Sequence, residues 1–116
     1  MDDSGYLYCL SNESFKDKIY KIGYTERSPK ERMDELFVTG LPTPFKLEFA
    51  KSVSEVKKKE GIVHKILDMR GKRVNQKREF FKCHLEEIKL IFELIEGEYY
   101  TNEKRRDMIM RFNTVS

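Results

Sequence analysis

The chain has 116 residues, 39% hydrophobic and 37% charged, and its net charge of +3 is too small to define a partner by itself. That length holds one compact domain with its own core, and the content of Ile, Leu, Phe and Tyr excludes a disordered segment. No apolar run nears the roughly 20 residues of a membrane span, and Met1-Asp2-Asp3 lacks the basic start of a signal peptide.

A soluble, intracellular protein is therefore expected. Cys9 and Cys83 stand far apart without a Cys-x-x-Cys partner, which fits a reducing compartment and encodes no disulfide framework.

In chain order, Tyr6–Leu10 and Ile19–Tyr24 are β-favouring runs separated by polar residues, and they predict two strands of a hairpin. Ser28-Pro29-Lys30-Glu31 combines a capping Ser, a Pro at the first helical position and a Glu three residues after the cap. A helix follows to about Phe37, with Met33, Leu36 and Phe37 as its apolar stripe. Thr39-Gly40-Leu41-Pro42-Thr43-Pro44 breaks it, and Phe45–Ala50 alternates as a half-exposed strand.

From Ser54 to about Met69 the residues Val56, Val63, Ile66 and Leu67 recur at helical spacing. Segment 70–78 lacks periodicity and reads as a loop, followed by a short Phe80-Phe81 strand and a helix carrying Leu85, Ile88, Ile91, Phe92 and Ile95. A tail at 99–116, with Arg105, Arg106 and Met108-Ile109-Met110, is expected to lie outside the domain at 1–98 and to form a last helix. The order β-β-α-β-α-β-α defines an α+β sheet domain.

Charge is unevenly placed. Residues 70–78 carry five positive charges and no negative one, whereas Glu86 to Glu98 holds five Glu against Lys89 alone, so a basic side and an acidic side are expected. The basic run is either a nucleic-acid footprint of Arg70, Lys72, Arg73, Lys77 and Arg78 or a solvated loop.

Glu60 lies four residues after Val56 and three before Val63, on the apolar side of its helix, where a carboxylate needs a cation or a hydrogen-bond partner. It is either a functional carboxylate or a boundary charge paired with a nearby Lys. His64, one turn on, is either a phosphate donor and proton-transfer group or a partly buried surface residue. Tyr8 is a packing residue or a reactive phenol, and Lys21 interrupts an apolar strand where its charge would favour a nearby phenolate. Arg32 is a solvated charge or a phosphate clamp. Cys9, His64, Cys83 and His84 lack zinc-type spacing.

Taken together, Tyr6-Leu7-Tyr8, Lys21-Ile22-Gly23, Arg32, Glu60 with His64, and Glu79-Phe80-Phe81 resemble the GIY-YIG nuclease superfamily over roughly residues 5–83. The likeness is to its phage and large-DNA-virus branch, in which the second motif reads Lys-Ile-Gly. The resemblance implies a three-stranded antiparallel sheet flanked by helices and a metal-dependent endonuclease acting on DNA. It further implies Tyr8 as activator of the attacking water, Lys21 in place of a second-motif Tyr, and Arg32 on the scissile phosphate. Glu60 would hold a divalent cation, Mg²⁺ or Mn²⁺, and His64 would substitute for a group absent at Leu36. A late polar position of the family falls on Asn75 or Glu79, the latter as a carboxylate paired with a neighbouring Arg. A catalytically inactive DNA-binding module of the same fold is the alternative, and a protein-interaction domain using the acidic last helix is a third reading.

Overall fold

The computed structural model describes residues 3–12, 18–32, 45–74 and 79–101. Its elements are β1 (Gly5–Ser11), β2 (Ile19–Thr25), β3 (Lys46–Val53), α1 (Val56–Met69), β4 (Phe80–Lys82), α2 (Leu85–Glu93) and β5 (Glu98–Tyr99). The expected helix through Met33, Leu36 and Phe37, the breaker at 39–44, and Asn75, Lys77, Arg78 and the tail from 102 onward lie outside the described residues.

The sheet is antiparallel with strand order β4-β2-β1-β3-β5, so among the described residues it has five strands where the resemblance implied three. β1 is the central strand, and Leu7, Tyr8, Cys9 and Leu10 are all at most 1% exposed, because both faces of the sheet are covered. On one face Leu7, Cys9 and Ile22 join Val56, Val63 and Leu67 of α1 and Ile88 and Phe92 of α2 in the main core. On the other, Tyr8, Leu10, Phe45 and Ala50 form a smaller cluster closed by Leu47, Phe80 and Tyr100. That second face carries the polar site.

β5 was not read from the sequence because two residues give no alternation to detect. It is fixed by tertiary contacts: Lys51 and Ser52 pair with Tyr99 and Glu98, and the Tyr100 N–H donates to the Ala50 carbonyl at 2.8 Å. Within segment 70–78, the described residues 72–74 are likewise more than a loop. The Val74 N–H donates to Phe80, the Lys82 N–H donates to Lys72, and Arg73 bridges to Phe81, so residues 72–74 run back along β4.

The helix start is as expected. The Glu31 N–H donates to Ser28 Oγ at 3.3 Å and the Arg32 N–H to the Ser28 carbonyl at 3.2 Å, which places Arg32 in the first helical turn at residues 29–32. In α1 the buried stripe is Val56, Val63 and Leu67, while Ile66 is 38% exposed and falls outside the core expected for it. Gly61 sits in the same helix interior, where a glycine costs about 0.5–1 kcal/mol relative to alanine. A Cβ there would meet nothing within 4 Å, so packing gives no reason for it.

Candidate functional site

Five elements converge at the outer edge of β2. β4 pairs with this strand only at Ile19–Lys21, so the edge beyond Lys21 is left to side chains and to residue 79. The Ile22 N–H donates to the Glu79 carbonyl at 2.9 Å. Its carbonyl accepts from His64 Nε2 at 2.7 Å, and a ring nitrogen facing a carbonyl must carry the proton. His64 therefore ties α1 to the strand edge, with its ring against Phe81, and its Nε2 donor is committed to backbone. Burial pushes its pKa below the ordinary value, although the Ile22 hydrogen bond works in the other direction.

Gly23 is the residue that lets the site assemble. It stands opposite Tyr8 in the β1–β2 register. A Cβ on it would lie 2.5 Å from the Tyr8 hydroxyl and 2.9 Å from Glu79 Oε2, so the phenol and the carboxylate meet over a position that only glycine leaves open. Arg32 Nε donates to the Tyr8 hydroxyl at 3.3 Å from the helical turn that follows β2.

Lys21 Nζ pairs with Glu79 Oε2 at 3.2 Å and lies 5.1 Å from the Phe80 ring centre. The expected action of Lys21 on Tyr8 is not found: burial pushes the phenol pKa up, Arg32 is the group that lowers it, and Glu79 and Glu60 raise it further. Lys21 instead serves the carboxylates, and Glu79 meets this Lys where an Arg was expected.

Glu60 reaches the same edge from α1. Its Oε2 is buried without a hydrogen-bond partner among the described residues. Burial and then the Glu79 charge raise its pKa to about 7, with Lys21 and Lys57 opposing. Two ionised carboxylates offer only acceptors, so they approach by sharing a proton or by binding a cation. Among the described residues no third His, Cys, Asp or Glu completes a cluster, so Glu60 and Glu79 are the groups able to hold a metal. Their hard oxygens suit Mg²⁺ or Mn²⁺, with water and substrate filling the remaining positions.

Beside these groups opens a pocket of about 570 Å³ lined by Tyr8, Tyr24, Thr25, Glu26, Arg27, Arg32 and Glu79. Arg27 was missed in the sequence. Its only signal is its place between the end of β2 and the Ser28 cap, where Thr25 Oγ1 accepts the Arg27 N–H at 3.0 Å and bends the chain. The basic segment is less available than its composition suggests. Arg70 pairs with Glu87, while Arg73 lies over the Phe81 ring at 5.0 Å and pairs with Asp68 at 3.5 Å. Lys72 is half-buried and holds the hairpin through its backbone.

An α+β domain with an open polar pocket at a sheet edge, built on a Tyr, an Arg and two carboxylates, is the class these features define. Residues 5–96 match the T5orf172 domain, and the chain belongs to that family. It is a phage-associated domain met in the context of GIY-YIG and HNH-like nucleases, and membership points to a nuclease or DNA-binding role. No curated protein and no solved structure matches the chain. Among the described residues no helix is long and apolar enough to cross a membrane.

Proposed function

We propose that the protein is a divalent-metal-dependent endonuclease of the GIY-YIG type that hydrolyses DNA phosphodiester bonds. The observation that carries this reading is the convergence of Tyr8, Arg32 and Glu79 on one pocket, with Glu60 coupled to Glu79 and its Oε2 buried without a hydrogen-bond partner among the described residues.

Phosphodiester hydrolysis needs an oriented water, neutralisation of the phosphoryl oxygens and stabilisation of the departing alkoxide. Tyr8 accepts the Arg32 N–H, so its own O–H is free to turn toward an oxygen in the pocket. In the resting protein the phenol is neutral and its O–H orients the attacking water; to act as base it first releases its own proton to solvent, which the Arg32 charge favours, and the phenolate then takes up the water's proton. Arg32 neutralises the phosphate and favours the phenolate. Glu60, with Glu79 beside it, would hold the cation, which when bound stabilises developing negative charge on the leaving oxygen. Lys21 sets the orientation of Glu79, and His64 keeps α1 and therefore Glu60 against β2.

Purified protein is expected to nick plasmid DNA only with Mg²⁺ or Mn²⁺. Glu60→Ala and Tyr8→Phe should each lower the rate by about 100-fold or more while leaving the fold intact by circular dichroism. Unchanged cutting in both variants would refute this site. The burial that disfavours the Tyr8 phenolate supports a second reading, a DNA-binding module of the same fold without turnover. That module would bind DNA in a salt-sensitive manner and cut nothing across a full titration of either metal.

A further inference from the structure

We infer that the exposed ridge Lys57–Gly61–Lys65 on α1 is the surface on which the sugar-phosphate backbone of duplex DNA lies as it passes Glu60. The inference rests on the nuclease reading and names the substrate-contact face of that same site.

Three observations place the strand there. Lys57, Gly61 and Lys65 recur at four-residue spacing, so they form one row along the helix, and all three are exposed. This row borders the side that carries Glu60 and His64, and the Lys57 charge reaches the Glu60 carboxylate. Among the described residues neither Lys57 nor Lys65 forms an ion pair within 4.0 Å, in contrast to Lys58, which pairs with Glu55 at 3.7 Å.

Gly61 supplies the argument that charge alone does not. It occupies a helix-interior position where alanine is favoured, and a Cβ there would touch nothing within 4 Å. The fold therefore gains nothing from the missing side chain. A polymer backbone approaching the helix does, because glycine between two lysines is where it comes closest. Phosphate contacts of this kind give position and affinity without sequence choice. Arg70 and Arg73 of the expected footprint are paired with Glu87 and Asp68, whereas neither Lys57 nor Lys65 is held in an ion pair among the described residues.

The test measures binding of a duplex oligonucleotide by fluorescence anisotropy in Ca²⁺ across a salt series, with melting temperatures for every variant and plasmid nicking in Mg²⁺ run separately. Gly61→Ala and Gly61→Leu should melt at or above the wild-type temperature, the alanine variant by a few degrees. Gly61→Leu should nevertheless bind duplex DNA at least about tenfold more weakly, since the side chain fills the approach. Lys57→Ala and Lys65→Ala should each reduce the slope of log affinity against log salt by about 0.9. Wild-type affinity in Gly61→Leu, or an unchanged slope in both lysine variants, overturns the ridge. DNA binding that follows this pattern without any nicking upholds the ridge and removes the nuclease reading, and absence of binding by the wild type removes both.

Discussion

Lys51 and Lys21 are both strand lysines laid against an aromatic ring, one on each flank of the sheet. On the β3–β5 flank, Lys51 is 4% exposed, donates to the Phe92 carbonyl at 2.8 Å in the last turn of α2, and lies 4.7 Å from the Tyr99 ring centre. A cation at a helix C-terminus meets partial negative charge already in place, so its burial is compensated within the fold. Tyr99 completes that arrangement by donating to Glu93 at 2.7 Å. On the β2–β4 flank, Lys21 also lies beside a ring, but its partner Glu79 is itself crowded by Glu60. There Lys21, with the exposed Lys57 acting from α1, faces two carboxylates, and among the described residues Glu60 Oε2 stays buried without a hydrogen-bond partner. The buried charge of the first flank is compensated, whereas on the second the nearby lysines do not offset burial and the Glu79 charge, and the Glu60 pKa is raised to about 7. A fold that satisfies a buried lysine on one edge and leaves the other edge incomplete marks the incomplete edge as the place where something binds.

The sharpest way to test the contrast is Gly23→Ala, which touches the open flank alone. The new Cβ would stand 2.5 Å from the Tyr8 hydroxyl, 2.7 Å from its Cζ and 2.9 Å from Glu79 Oε2, so the buried phenol and the carboxylate end must both shift. Displacement of these groups on the order of 1 Å should lower DNA cutting by about 100-fold. The melting temperature should fall much less than the activity, and cutting at the wild-type rate would show that the geometry at Gly23 is irrelevant to chemistry. Lys51→Met is the opposite probe. It removes a charged hydrogen bond from the compensated flank and should cost about 1–3 kcal/mol of stability in urea unfolding. Cutting per folded molecule should stay unchanged, and a selective loss of activity would break the distinction between the flanks.

What could be read from the sequence follows the same division. Ser28, Pro29 and Glu31 announced a helix start through local chemistry, and the hairpin announced itself through β-favouring runs, because both signals are contained in a few adjacent residues. The apolar stripe of α1 put Glu60 and His64 toward the interior, and the structure brings both to the edge of β2. Contacts between distant segments were less accessible. Glu79 acquires its role from Lys21 and Glu60, which are 58 and 19 residues away in sequence, and no periodicity encodes that meeting. Composition marks Arg73 as a candidate DNA contact, and its packing against Phe81 and Asp68 is not encoded in that signal. Lys51 gave no signal either, since the carbonyl that accepts its proton belongs to Phe92, 41 residues on.

The smallest effect expected concerns pH, and it isolates the uncompensated charge on the open flank. Burial and Glu79 raise the Glu60 pKa from 4.5 to about 7, so the folded protein binds this proton more tightly than the unfolded chain. A raised acid pKa stabilises the protonated form, and the penalty for ionisation enters as pH climbs through that window. From this group alone, metal-free stability should decline between about pH 4.5 and about pH 7 and level off above. His64 acts in the opposite sense, because its lowered pKa makes protonation costly in the folded state and removes stability as pH falls through its unfolded value. Subtracting the melting temperatures of Glu60→Gln from those of the wild type over roughly pH 5 to 8 cancels the histidine and leaves the carboxylate. The difference should favour the glutamine variant increasingly toward pH 7, and added Mg²⁺ should shrink it by supplying positive charge to the wild type alone. A difference that is flat in pH and blind to Mg²⁺ would mean that Glu60 and Glu79 carry no uncompensated charge between them, and the two flanks would then differ in geometry only.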